Sequence, residues 1–429
     1  MILSNISTPL LGLVDTAVLG HLDSEQFLAA VALGGLIFSF IFWGFGFLRM
    51  GTTGLTAQAF GENDKPEINA VLTRAIVLAA IISGLLILAQ PIIATLSFKL
   101  LQSEATVERL ALQYFDIRLL SAPATLCSYV LMGWFLGQQN VKAPLLVVLS
   151  SNSINIGLDL LFVYHFNMQV EGVALATVIA EYLGLMLGLI IALRMARKNL
   201  NRWIWDDLAD MKKLKAMLLI NSHIFVRTWC LIFTFAFFTA QASKLGAIVL
   251  AANTVLLNFQ TFMAYALDGF AHAAEALVGK AVGAKDKQML KQVVLTAGVW
   301  SFAIALLFSV TYFYLGSTII DNVTNLTAVR KEAYQHLPWL MVMPLVSFIC
   351  YLLDGVFIGA MLTVEMRNTL LFSLSCVFLP VWYYSQDLGN TGLWLAMTLF
   401  MLARGLSMLI VFIRQRERII NISRRPKVI

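Results

Sequence analysis

Twelve long apolar segments, separated by short polar stretches, constrain this chain more than any other feature. They run roughly over 2–20, 27–50, 68–95, 110–137, 143–166, 170–194, 216–242, 247–276, 289–316, 335–361, 367–386 and 391–413. A helix that crosses a bilayer core needs about 20 mostly apolar residues, and these segments meet that length. Hydrophobic residues make up 59% of the 429 and charged residues 13%, where a soluble domain carries about 25% charged. With a mean hydropathy of +0.81, too little charge remains to cover a surface facing water. Soluble domains are therefore excluded. Alternating runs of about ten residues, the mark of a membrane barrel, are absent. The expectation is an all-α membrane protein with twelve transmembrane helices, the third and ninth being plain runs that face hydrocarbon.

Lys and Arg orient the spans, because they favour the cytoplasmic side. One set of loops holds Lys65, Lys142, the cluster from Arg194 to Lys215, the stretch 280–291, Arg367 and the tail from Arg414. The opposite loops hold only Lys99, Arg109, Lys244, Arg330 and Lys331, while Arg49, Arg74, Arg118, Arg227 and Arg404 lie in or near spans. Both ends are thus expected in the cytoplasm, which requires an even number of spans. The net charge of +6 sits in loops and in the basic tail 414–429. That is the pattern of contact with anionic lipid rather than with nucleic acid. No signal peptide is expected: the first twenty residues lack a positive start, and Asn5, Pro9 and Asp15 interrupt them. Because Met1 opens directly into apolar sequence, the first helix is expected to lack its beginning.

Shifted by 222 residues, the chain partly overlays itself. FLAAVALGGLIFSF (27–40) meets VLAANTVLLNFQTF (249–262), AFGENDK (59–65) meets AVGAKDK (281–287), and SYVLMGWFLG (128–137) meets CYLLDGVFIG (350–359). After a slip of two, EGVALA (171–176) meets TGLWLA (391–396). Four blocks in one order imply two lobes of six spans, 1–194 and 216–413, joined by a cytoplasmic connector 195–215. An even number of spans per lobe gives both the same orientation, related by a pseudo-twofold axis along the membrane normal. Parallel repeats of this kind are a transporter architecture, with the substrate bound between the halves.

Charges at bilayer depth cost roughly 2.5–3.5 kcal/mol even on lenient scales, so each needs a reason. Asn155 and Asp159 are four apart and share one helical face, as do Thr177 and Glu181. Asp15, Asn155, Asp159 and Thr177 are expected to form a polar pocket in the first lobe. Crowding and burial would raise a carboxylate's proton affinity there; the alternative is a hydrogen-bonded network that only holds helices together. Asp268, Glu275 and Asp354 are the acids of the second lobe. They are expected to line a substrate cavity with Tyr265 and Tyr351, where cation–π attraction would favour organic cations. For Glu275 the alternative is snorkelling near Lys280. Arg227 needs a carboxylate partner; if it enters the same cavity, it makes room for anionic amphiphiles. Pro9 and Gly12 would form a hinge before Asp15.

Other chemistry is missing. Cys127, Cys230, Cys350 and Cys376 lie in apolar runs without CxxC spacing, and no His pair has the spacing of metal ligands. Neither a phosphate-binding GxxxxGK[ST] loop nor GxSxG occurs, so energy must come from an ion gradient. No metal, cofactor or enzymatic activity is expected, and the partners are small-molecule drugs and dyes and the lipid bilayer.

PLLGLVDTAVLGHL (9–22), TTGLTAQAFG (52–61), NIGLD (155–159), GVALATVIAE (172–181), AYALDGF (264–270) and CYLLDGVFIGA (350–360) together resemble the DinF branch of the MATE family of multidrug and toxic-compound extrusion transporters. The resemblance covers essentially the whole chain. It implies a V-shaped bundle of two six-helix lobes, alternating access, and antiport of organic compounds against protons or Na⁺. It further implies a cation site at Asp15, Asn155, Asp159 and Thr177, and it matches Asp354-Gly355 to an Asp-Gly motif of the tenth helix. The NorM branch carries an acid in the seventh helix that belongs to a Na⁺-linked site. This chain has only Arg227 as a charge there, which favours protons as the coupling ion. The location implied is the bacterial cytoplasmic membrane, as a monomer. The alternatives are a Na⁺-coupled drug antiporter and a lipid-linked precursor flippase of the wider superfamily. The flippase reading is disfavoured because the cavity candidates are mostly acidic. An intramembrane protease is disfavoured because DGF and DGV do not make the GxGD pattern.

Asp15→Asn is expected to insert and fold, because amide and acid share a shape, yet to lose proton-driven efflux. Drug resistance at the wild-type level in cells expressing normal amounts of this variant would contradict that.

Overall fold

The computed structural model describes residues 25–101, 104–197 and 210–422. Asp15, Pro9, Gly12 and the first span lie outside the described residues, as does most of the connector. Among the described residues the regular structure is helical, and eleven helical stretches are long and apolar enough to cross a membrane. The chain divides into two compact units, 1–60 with 64–214 and 61–63 with 215–429.

In the first unit the helices are α1 (Glu25–Gly44), α2 (Phe47–Gly61), α3 (Lys65–Leu88), α4 (Gln90–Leu101), α5 (Ala105–Arg118), α6 (Ala122–Gly137), α7 (Lys142–Leu160) and α8 (Val170–Arg197). α7 packs most extensively against α8, α3 against α6, and α1 against α5. The second unit holds α9 (Met211–Lys244), α10 (Ala247–Gly283), α11 (Lys287–Val323), α12 (Thr327–Gly359), α13 (Thr363–Phe372), α14 (Leu379–Tyr384) and α15 (Asn390–Ile422). There α10 and α12 form the dominant pair, flanked by α11 and α15.

Several boundaries differ from the sequence reading for physical reasons. The segment 68–95 breaks at Ala89 because Pro91, at the start of α4, has no amide for a continuing helix. α2 runs on to Gly61, past the polar TTGLTAQ stretch. Thr52, Thr53 and Thr56 are fully buried there, so this polarity faces the interior of the unit rather than a loop. α11 is the apolar outward-facing helix expected of the ninth span, with 11% of its most apolar window buried. α3 is less plain: its Arg74 is buried and forms an ion pair with Glu67 two turns earlier. Cys127 and Cys350 are buried, Cys230 is half-buried and Cys376 faces outward.

The internal repeat reappears as matching backbone features. Asp64 and Asp286 each cap a helix, accepting the amides of Glu67 at 3.1 Å and Met289 at 2.9 Å. Each cap follows a left-handed residue, Asn63 (φ 58°) and Lys285 (φ 58°). A second matched pair of left-handed residues, Gln139 (φ 62°) and Met361 (φ 57°), closes α6 and α12. There Asn140 N–H reaches Phe135 O at 2.9 Å, and Leu362 N–H reaches Phe357 O at 2.8 Å. These are the long bonds of a Schellman helix end.

The helix seams repeat as well. A Cβ on Gly133 would strike the carbonyl of Arg49, and one on Gly137 would lie 2.9 Å from Thr53 O and Ala57 N. In the second unit a Cβ on Gly355 would strike Ala271 O, and one on Gly359 would strike Glu275 O. Glycines four apart thus let α6 lie on α2 and α12 on α10 at backbone distance, the small-residue packing that membrane helices use in place of a hydrophobic drive.

Gly137→Ala and Gly359→Ala are each expected to force their seam apart and cost about 1–3 kcal/mol. Gly84→Ala, with nothing within 4 Å of the added carbon, should be neutral or slightly stabilising. Thermal unfolding of the three purified variants tests this ordering.

Candidate functional site

In the first unit, α7 and α8 meet along a polar seam. Ser151 donates to Ala180 O at 3.0 Å, and Gly184 packs against the Ser151 side chain. One turn further along α7, Asn155 (1% exposed) donates to Thr177 Oγ1 at 3.3 Å. Thr177 in turn donates to Val173 O at 2.9 Å. This fixes the hydroxyl as an acceptor for Asn155 and leaves Asn155 Oδ1 buried with no hydrogen-bond partner among the described residues. Asp159, a turn beyond Asn155, is fully buried. The structure therefore brings Asn155 and Thr177 together, with Asp159 on the same face of α7. α7 then widens into a single π-helical turn over Leu161–His165, a distortion often found beside functional sites.

Glu181, a turn beyond Thr177, has a different partner set. It forms an ion pair with Arg118 at 2.8 Å and accepts from Thr125. The Arg118 guanidinium also stands over the rings of Phe38 and Phe42, at 5.5 and 6.0 Å from their centroids. α1, α5, α6 and α8 are joined through this one charge pair. Asp116, by contrast, is exposed and accepts from Gln90 at 2.8 Å.

In the second unit Arg227 of α9 finds the carboxylate it requires. It donates to Asp354 Oδ2 of α12, and Arg404 of α15 donates to the same oxygen. All three side chains are buried. Asp268 and Tyr351 are half-buried, and Tyr265 stands 37% exposed. Glu275 departs from both sequence-level expectations. It is 1% exposed, so it neither snorkels toward water nor lines an open cavity; His272 Nδ1 lies 3.6 Å from its carboxylate. Arg404 carries the same signal as Arg227, an arginine inside an apolar run. Its partner lies on another helix, which spacing does not reveal. A second network also escaped sequence reading. Asn253 and Asn390 exchange bonds at 2.7 and 3.1 Å, Trp394 Nε1 donates to Asn253 at 3.0 Å, and His336 joins through Asn390 and Glu332. No group of metal-binding side chains occurs among the described residues.

Two repeated helical units, carboxylates buried within apolar helices and eleven described stretches long and apolar enough to cross a membrane mark a multi-pass membrane protein of transporter architecture. The MatE family model matches residues 1–161 and 224–383. The chain is 43% identical to the DNA damage-inducible protein F of Escherichia coli K12, over 96% of this chain and 90% of that protein. It is 24% identical to a probable multidrug resistance protein NorM of Bacillus cereus, over 96% and 92%. The Vibrio cholerae MATE transporter VcmN in its bent form has the same fold, with a TM-score of 0.85 at 21% identity over 97% and 95% of the two chains. The chain belongs to the MATE family of multidrug and toxic-compound extrusion transporters, in its DinF-like branch.

Glu181→Ala is expected to leave the half-buried Arg118 without its carboxylate, at a cost of about 1–3 kcal/mol. Glu181→Ala combined with Arg118→Met should recover much of that loss. A double-mutant cycle in thermal unfolding measures the coupling.

Proposed function

We propose that the protein is a proton-driven antiporter that extrudes lipophilic organic compounds, with organic cations among them. The observation that carries this reading is Asp159: a carboxylate with no exposed surface, a turn from an Asn155–Thr177 hydrogen bond. Ser151, Asn155 and Thr177 are the uncharged polar groups bonded along this seam, and Asn155 Oδ1 is an acceptor held ready for a donor. Protonation would remove the charge of Asp159 and supply such a donor to the pocket. A proton thus changes both the electrostatics and the hydrogen bonding of one helix seam, which is what coupling to a gradient requires. Asp15 is proposed as the fourth member of the pocket, with Pro9 and Gly12 as the hinge of its helix.

The multidrug-resistance name of the B. cereus relative supports drug-like cargo. In the second unit Arg227 and Arg404 both donate to Asp354, so the half-buried Tyr351 and the exposed Tyr265, rather than Asp354, are proposed to meet an organic cation by cation–π attraction. The seventh span carries no acid of the NorM kind, its one charge being Arg227, paired with Asp354; this supports protons over Na⁺. We place the protein in the bacterial cytoplasmic membrane, as a monomer with both ends in the cytoplasm.

Everted vesicles test this reading. Dye uptake driven by an imposed proton gradient without Na⁺ should be strong in the wild type and lost in Asp159→Asn. Adding Na⁺ should change neither. Uptake that requires Na⁺, or that survives in Asp159→Asn at equal expression, would overturn it.

A further inference from the structure

Asp354 is held in an unusual way. Arg227 and Arg404, from two different helices, both donate to one oxygen, Oδ2. The other oxygen, Oδ1, is buried and accepts no hydrogen bond among the described residues, and the Nε of Arg404 is likewise buried without a partner. A buried carboxylate with an unused oxygen is a natural ligand for a hard cation, which takes oxygen ligands. Here guanidinium groups of the chain occupy the position of that cation. Asp268, on the neighbouring α10, interacts electrostatically with Arg404. Two guanidiniums and two carboxylates then balance to zero. A guanidinium does not deprotonate in proteins, so this balance cannot be relieved by losing a proton from the arginines.

Stability alone does not call for such an arrangement. Apolar side chains of similar volume often replace a buried charge cluster at no cost. We propose that Arg227 and Arg404 are built-in counter-ions that close the second unit to Na⁺ and other small cations at Asp354, and that Arg404 is the residue that sets this ion specificity. One arginine is enough to neutralise Asp354. The second arginine balances Asp268. Without Arg404 the cluster carries one net negative charge, and a space opens beside Oδ2. The second unit then gains a cation site. The inference rests on reading the chain as a cation-coupled transporter whose coupling site lies in the first unit, but its test reads ion binding and not transport.

The test is thermal unfolding of purified protein at about pH 8, where ordinary carboxylates are ionised. NaCl is titrated against choline chloride at constant ionic strength. Wild type and Arg404→Lys should be indifferent to the exchange. Arg404→Gln should be stabilised saturably by Na⁺, by a few degrees, as expected for a ligand that binds only the folded state. Arg404→Gln with Asp354→Asn should lose that response. If Arg404→Gln yields no folded protein, Arg227→Gln carries the same comparison. The proposal is overturned if the single and double variants respond alike. It is also overturned, without any arginine variant, if the wild type shows a saturable Na⁺ shift that Asp354→Asn removes. A failure of proton-driven efflux in vesicles would leave these outcomes unchanged, so the two readings fail separately.

Discussion

Charge removed from water must be compensated inside a helical unit, and this requirement organises the structure. Hydrocarbon offers no hydrogen bonds and a low dielectric, so a lone ion there is costly. Each buried arginine in the described spans accordingly meets a carboxylate: Arg74 with Glu67, Arg227 and Arg404 with Asp354. The half-buried Arg118 follows the same rule with Glu181. The compensation is of two kinds. Arg118–Glu181 and the Asp354 cluster are closed by fixed charges and tie several helices together. The Asn155–Thr177 seam near Asp159 is built from neutral hydrogen-bonding groups, and these respond to a proton that comes and goes.

Both kinds of site depend on helices that lie close enough for side chains to meet. The glycine seams provide this. Gly133 and Gly137 bring α6 onto α2, and Gly355 and Gly359 bring α12 onto α10. Gly355 adjoins Asp354 in sequence, so the contact that fixes α12 also fixes the carboxylate between two arginines. The repeated seams show that the internal duplication preserved the backbone scaffold. The charged residues diverged. Position 132, which matches Asp354 in the repeat, is Met132, and position 184, which matches Arg404 after the slip of two, is Gly184. One scaffold therefore carries different electrostatics in its two units.

Much of this was legible in the sequence. Apolar segment length gave the spans, and the AFGENDK and AVGAKDK blocks located two turns whose caps and left-handed residues agree in detail. The spacing of Asn155 and Asp159 placed them on one face, and the rule that a buried arginine needs an acid anticipated the partner of Arg227. What sequence could not give was pairing between helices distant in the chain. Arg404 meets an acid 50 residues earlier, and Glu181 is drawn toward Arg118, 63 residues earlier, rather than toward the Asn155 seam. Helix ends were misread where polar residues face inward, as at Thr52–Thr56. They were also misread where one proline, Pro91, divides an otherwise continuous apolar run.

The central claim is that the proton-exchanging carboxylate lies in the first unit and that the Asp354 cluster is electrostatically closed. Infrared difference spectra of reconstituted protein, taken between mildly acid and mildly alkaline buffer, read buried carboxyl groups directly. The account predicts a protonated-carboxyl band that appears on acidification, weakens or disappears in Asp159→Asn and stays unchanged in Asp354→Asn. A band that persists in Asp159→Asn and vanishes in Asp354→Asn would contradict it.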